Sequence, residues 1–249
     1  MKSLKYWLLV LGILSCFGCS SSIHEDNRGC SFICDSIQYR VEFMSAGCVR
    51  ILSYPEGDTL VTKRLVVDVE KPTFTDYKWE ETEQAFVFCT HELLVSFDKS
   101  DEAFTFREAS TGKLLLKEKD RRKARNFKRS EVGGEQCLEV TQRFIPTDEE
   151  AIYGLGQYQN GIMNYRGKSV LLLQANMDIV NPFLISTNGY GILWDNYSST
   201  KFEDTSEGYS FISEVGDASD YYFVYGKNMD EVVAGYRELT GDVPMFGKW

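Results

Sequence analysis

Thiols, imidazoles and carboxylates are the groups in this chain that could do chemistry, and their spacing narrows what that chemistry is. Beyond the N-terminal region stand five cysteines, Cys30, Cys34, Cys48, Cys89 and Cys137, and two histidines, His24 and His91. An odd number of cysteines, no CxxC pair and so few imidazoles argue against a zinc site, and no metal or other cofactor is expected. A Cys30–Cys34 bridge is open in an oxidising compartment. Cys89, which ends the run Phe86-Val87-Phe88-Cys89, reads as a small buried hydrophobe. A formal charge of -10 over 249 residues sets a repulsive field against nucleic acids and anionic lipid heads, so neutral partners such as sugars fit better. With 14% aromatic residues the chain has rings that can stack on pyranose faces, although most of them are expected to fill the core.

Two further cysteines have a different context. Lys2 and Lys5 form a short basic region, and Tyr6 to Leu14 an apolar one too short to span a bilayer as a mature helix. This reads as an export signal. Ser15-Cys16 and Gly18-Cys19 come next, and a small residue before a Cys at that place resembles the bacterial lipoprotein processing box. Ile13 supplies the apolar residue expected before Cys16, whereas Cys16 itself occupies that position for Cys19, so lipidation is expected at Cys16, with Cys19 as the alternative. Cleavage as an ordinary secretory peptide is the competing reading. Lipidation implies a membrane-anchored protein of the cell envelope, periplasmic or on the outer surface.

The elements that must position any site are short strands. Ile37, Tyr39, Val41 and Phe43 alternate with polar residues, as do Leu93, Val95 and Phe97, then Phe104 and Phe106. That period of two marks half-buried strands. Asp98-Lys99-Ser100-Asp101 and Ser110-Thr111-Gly112 are turns, the second leading into Lys113 to Leu116, so an antiparallel meander is predicted. The fold class is therefore all-β, an antiparallel β-sandwich with one C-terminal helix. Residues 1–19 read as signal region, 20–33 as a polar tether, 34–227 as the sandwich and 228–249 as a linker helix with a short C-terminal extension. In the helix, Asn228 is the cap, Asp230 and Glu231 suit its first turn, and Val232, Val233, Tyr236 and Leu239 form one apolar stripe before Gly241. The basic stretch from Lys117 to Arg129, with Arg121, Arg122, Lys123 and Arg125, reads as a solvated loop and not as a nucleic-acid site.

From Ala151 onward the sequence is denser in motifs. Ala151-Ile152-Tyr153-Gly154-Leu155-Gly156-Gln157 is followed by Asn164-Tyr165-Arg166-Gly167, Gln174-Ala175-Asn176, Asn181-Pro182-Phe183-Leu184-Ile185-Ser186 and Gly189-Tyr190-Gly191-Ile192-Leu193-Trp194-Asp195-Asn196. Gly154 and Gly156 allow a tight turn or close backbone approach around Leu155. Asn181-Pro182 is expected to start a strand, and Thr187-Asn188-Gly189 to turn it back as a hairpin. The ordered series resembles the N-terminal β-sandwich of glycoside hydrolase family 31, specifically its bacterial α-xylosidase branch. The resemblance is dense from about Val140 to Trp249 and faint before.

The resemblance implies a galactose-mutarotase-like sandwich that packs on a catalytic barrel and acts with it on oligosaccharides or xylosides. In that family a loop of the sandwich reaches over the barrel mouth, and Asn176-Met177-Asp178 stands at the corresponding place, which makes Asp178 and Asn176 the candidate substrate contacts. A carboxylate can accept hydrogen bonds from two adjacent sugar hydroxyls. Retaining glycosidases need two carboxyls flanking the scissile bond, and in the family both lie in the barrel. Trp194-Asp195 is followed by Asn196 and Tyr197 and does not match the nucleophile motif. Pro244 to Trp249 resembles the opening of the first barrel strand, so the barrel is expected to be missing from this chain and no hydrolysis is expected of it alone. Two other readings stand beside this one: a free-standing carbohydrate-binding lipoprotein, and a mutarotase-like enzyme, which would need a positioned acid and base.

Overall fold

The computed structural model describes residues 23–58, 65–67, 74–122, 126–243, 245, 247 and 248; Cys16 and Cys19 lie outside them. The chain runs through β1 (His24–Glu25), β2 (Cys30–Cys34), β3 (Ile37–Ser45), β4 (Cys48–Pro55), β5 (Lys78–Glu81), β6 (Ala85–Cys89), β7 (Leu93–Asp98), β8 (Ala103–Glu108) and β9 (Leu114–Glu118). It continues through β10 (Phe127–Val132), β11 (Glu135–Ile145), β12 (Ile152–Gln157), β13 (Ser169–Leu172), β14 (Ile179–Ser186), β15 (Tyr190–Trp194), β16 (Thr200–Thr205), β17 (Gly208–Gly216), β18 (Ser219–Tyr225) and the helix α1 (Met229–Thr240).

Antiparallel pairing gathers these strands into two sheets. The first has the order β1-β2-β3-β4-β18-β15-β14-β12 and the second β13-β16-β17-β11-β9-β8-β7-β6-β5, with β10 added as a ribbon on β11. The period of two is the cause of the layering. Phe86, Phe88, Val95, Phe97, Phe104 and Phe106 all point inward from the second sheet with no exposed surface, and they meet Phe32 and Tyr39 from the first. The meander β7-β8-β9 forms as expected, and its first turn is closed by the Asp98 carboxylate, which accepts from the Ser100 and Asp101 amides.

The helix forms where its capping residues place it. The Asn228 side chain accepts from the Glu231 N–H at 2.9 Å and donates back to the Glu231 carboxylate at 3.1 Å, which also accepts from the Lys227 N–H, so the cap satisfies one of the helix's orphaned donors. Val232 and Leu239 bury against Phe183, Leu193, Tyr222 and Val224, so the helix covers the outer face of the first sheet. Val233 does not share that stripe, being 40% exposed. Among the described residues no helix is long and apolar enough to cross a membrane.

The structure departs from the sequence reading in several places. Strand β1 and all of β2 but Cys34 lie in the stretch 20–33 read as a tether, and Glu25 accepts from the Trp79 indole and the Tyr77 hydroxyl, tying the edge of the first sheet to the edge of the second. Cys30 and Cys34 are both buried on one strand. Four residues of extended chain separate them by about 13 Å, beyond the roughly 7 Å a disulfide can span. Cys89 is exposed, because it ends β6 on the face turned from the core. The stretch from Lys117 to Arg129 is not a simple solvated loop: its ends lie in β9 and β10 and Arg121 is buried. Lys117, Lys119 and Arg122 pair with Asp101, Glu207 and Glu102; Lys123 and Arg125 lie outside the described residues. Finally, Pro182 lies inside β14 and not at its start.

Candidate functional site

The reason Pro182 is tolerated also shapes the site. Between β12 and β14 the register moves from Gly154 opposite Leu184 to Gly156 opposite Val180, so that two steps on one strand face four on the other. Pro182, which has no N–H to give, sits in the skipped stretch. On β12 the chain takes three consecutive left-handed residues, Gly154 at φ 98°, Leu155 at 65° and Gly156 at 115°. A Cβ on Gly156 would lie 2.1 Å from the Ile179 carbonyl oxygen, so only glycine lets β12 approach β14 at this point. Leu155 accepts a left-handed conformation that costs about 1–2 kcal/mol and in exchange is fully buried in the core. The Tyr158 hydroxyl donates to its carbonyl at 3.0 Å.

Directly beyond this junction β13 leaves the second sheet and crosses to β14 of the first through residues 173–178. The crossing is a tight turn: the Asp178 N–H donates to the Ala175 carbonyl at 3.3 Å, and Met177 is left-handed at φ 71°. Asn176 is exposed and Asp178 half-buried. Among the described residues neither side chain is hydrogen-bonded, so both are available to a ligand. Leu171, Leu173, Met177 and Ile179 flank them, each about half exposed or more. Burial first, then the nearby Tyr165 and Asp178, push the Tyr158 phenol up to about 12, so at neutral pH it keeps the proton that it gives to the Leu155 carbonyl. The root of the turn is tied to α1, where Tyr236 stacks on Phe183 at 4.2 Å and its hydroxyl donates to Asn181 at 3.4 Å. Polar groups that accept and donate, beside apolar surface, suit an amphipathic sugar.

The fold has counterparts in known proteins. Residues 38–203, two thirds of the chain, match the model of the glycosyl hydrolase 31 N-terminal galactose mutarotase-like domain. The chain belongs to glycoside hydrolase family 31. Among curated relatives of this family 31 domain, the α-xylosidase of Saccharolobus solfataricus is 34% identical over 229 residues, covering 86% of the chain and 30% of the relative. Alpha-glucosidase 2 of Bacillus thermoamyloliquefaciens is 28% identical over 238 residues, covering 88% and 28%. The chain thus spans about 30% of the length of these two relatives. The crystal structure of the family 31 α-xylosidase of Xanthomonas citri superposes with a TM-score of 0.81 at 22% identity, over 90% of this chain and 41% of that one. That likeness shows the fold.

The other groups considered for chemistry are placed elsewhere in the family 31 domain. His91 is exposed in the turn between β6 and β7, and His24 is exposed on β1. Trp194 is fully buried, stacked on Phe211 and donating to the Ser213 hydroxyl at 2.9 Å, so Trp194 serves the core, and Asp195 beside it is half-buried. The residue that sequence reasoning missed is Gln174. It stood in the Gln174-Ala175-Asn176 motif, but nothing local shows that its side chain reaches past the turn.

At the far end of β14 from the turn, Glu150 is the buried acid of the connection from β11 to β12. It accepts from the Ser186 hydroxyl at 2.6 Å, the Tyr190 hydroxyl at 3.1 Å and the Thr147 N–H at 3.1 Å. Burial raises its pKa above the ordinary value of 4.5 despite those bonds and the Arg166 charge. The folded chain therefore holds the Glu150 proton more tightly than the unfolded one, so its contribution to stability is full below the ordinary value and is lost as pH rises through the folded one. Glu150→Gln is expected to gain stability relative to the parent between pH 4 and pH 7, read by urea unfolding at both. An equal difference at the two pH values would refute this.

Proposed function

We propose that this chain is the non-catalytic N-terminal sandwich of a retaining α-glycosidase of the α-xylosidase or α-glucosidase type. It lends the Asn176–Asp178 turn to a sugar pocket that a separate catalytic barrel completes. The observation that carries the reading is the turn itself, whose carboxamide and carboxylate are free of hydrogen bonds among the described residues and sit on a family 31 sandwich. In this role Asp178 accepts hydrogen bonds from adjacent hydroxyls and Asn176 both donates and accepts, while Met177 and Ile179 cover the apolar ring face. The attacking and proton-donating carboxyls come from the barrel.

The chain by itself is then expected to release no p-nitrophenol from p-nitrophenyl α-xyloside or α-glucoside. Placed in the S. solfataricus α-xylosidase in exchange for the segment it matches, it should support hydrolysis, and Asp178→Ala should lower kcat/KM by about tenfold or more, ~1.4 kcal/mol of transition-state stabilisation. Hydrolysis by the isolated chain, or a hybrid indifferent to Asp178→Ala, would overturn the reading. The same proposal anchors the protein in the cell envelope through Cys16. Labelling with an alkyne fatty acid should vanish in Cys16→Ser; loss in Cys19→Ser instead moves the anchor, and label surviving both changes removes it.

A further inference from the structure

Gln174 uses both ends of its carboxamide across the turn. Nε2 donates to the Asp178 carbonyl at 2.8 Å, and Oε1 accepts from the Val180 N–H at 3.1 Å. One side chain therefore spans the whole 175–178 excursion. The backbone adds an isolated antiparallel bridge between Ala175 and Asp178, whose bond from the Asp178 N–H to the Ala175 carbonyl is 3.3 Å, long for an N–H to O contact. The two bonds of the Gln174 carboxamide, shorter than that backbone bond, restrain the turn against the left-handed strain at Met177. From the outside, Gly156 presses its backbone against Ile179, one residue past the turn, and fixes the end to which Gln174 is tied.

We propose that Gln174 is a positioning residue that holds the 175–178 turn in one conformation, so that Asn176 and Asp178 meet a sugar already arranged and without an ordering step. This rests on the reading of Asn176 and Asp178 as sugar contacts. Gln174 itself touches no sugar. The bond pattern makes the role specific to a carboxamide of this length: glutamate keeps the acceptor for Val180 but turns an oxygen toward the Asp178 carbonyl, and asparagine falls a methylene short of both partners.

Amide hydrogen exchange on the full 249-residue chain tests the positioning. In Gln174→Ala, exchange at both Asp178 and Val180 should accelerate about tenfold or more, while Leu184 and Ile192 keep their parental rates and the unfolding midpoint does not move. In Gln174→Glu only Asp178 should accelerate, with Val180 still protected. Parental rates at both amides in Gln174→Ala, or equal release of both in Gln174→Glu, overturn the proposal. A titration with methyl α-D-xyloside, done on the hybrid in which the S. solfataricus α-xylosidase carries this chain and so completes the pocket, separates it from the reading beneath it. Gln174→Ala should weaken binding about tenfold, as should Asp178→Ala. If Asp178→Ala leaves binding untouched while the exchange pattern holds, the contact reading fails and the positioning of the turn stands. If Asp178→Ala weakens binding and Gln174→Ala does not, preorganisation by Gln174 is refuted.

Discussion

Glu118→Ala is expected to bring the domain close to unfolding. Glu118 has no exposed surface and is the hub between the sheets. One oxygen accepts from Arg121, the Gln142 amide and the Tyr221 hydroxyl, each at 2.7 Å, and the other from the Phe104 N–H at 2.8 Å. Arg121 continues the network to the Ser53 hydroxyl and lies over the Tyr39 ring. Burial works against the charge on Arg121, but Glu118 and its neighbours more than offset it and hold the guanidinium protonated. Removing the carboxylate leaves that cation buried without its counter-ion, a change that costs roughly 3–5 kcal/mol. Domains have only about 5–15 kcal/mol in total, and at this size each kcal/mol moves Tm by about 2–4 °C, so a drop of at least ~6 °C is expected by calorimetry. The apolar pair Glu118→Leu with Arg121→Met should recover much of the loss, because the cost lies in the orphaned charge and not in the pair's own net worth. A Glu118→Ala protein that melts within a degree or two of the parent would show that water reaches Arg121.

Gly156→Ala is the second large effect, and it acts on the site as well as on the fold. The added methyl would meet the Ile179 carbonyl oxygen at 2.1 Å and the Asn181 nitrogen at 2.8 Å, both backbone atoms that cannot swing away. The φ of 115° adds strain of its own for an L side chain. A loss of roughly 3–5 kcal/mol is expected, at the upper end for single substitutions, together with a changed environment for Asn176 and Asp178. Gly161→Ala is the control: its φ of 68° is also left-handed, but a Cβ there meets nothing within 4 Å, so about 1 kcal/mol should be lost. Equal costs at the two positions, by urea unfolding, would show that the close approach of β12 to β14 contributes nothing.

The strands and the helix were legible along the chain because their causes are local. Alternation at Tyr39, Val41 and Phe43, the turn at Asp98 and the cap at Asn228 are each decided within a few residues, and each is found where the sequence placed it. The family was legible for the same reason, in the motif series from Ala151. The candidate turn was visible as Asn176-Met177-Asp178 through that resemblance. Its internal brace was not, since hydrogen bonds from Gln174 depend on how the crossing folds back on itself.

What the chain could not announce by itself is which distant groups meet. Arg121 sits in a run of like charges and read as solvated, yet its network comes from Ser53 and Gln142, 68 and 21 residues away, and its partner Glu118 is bonded by Tyr221 from a distance of 103. Cys30 and Cys34 looked close in number, but an extended strand holds them apart, and Cys89 read as buried although its place on β6 faces outward. Pro182 read as a strand start until β12 supplied the register gap that tolerates it. The sequence alone therefore determined the alternating strands, the helix, the sandwich class and the family, because alternation, capping and turn chemistry act between neighbours. Only the tertiary structure decided the burial of charge, the brace on the turn and the fate of the cysteines, because each depends on strands paired across the whole length of the chain.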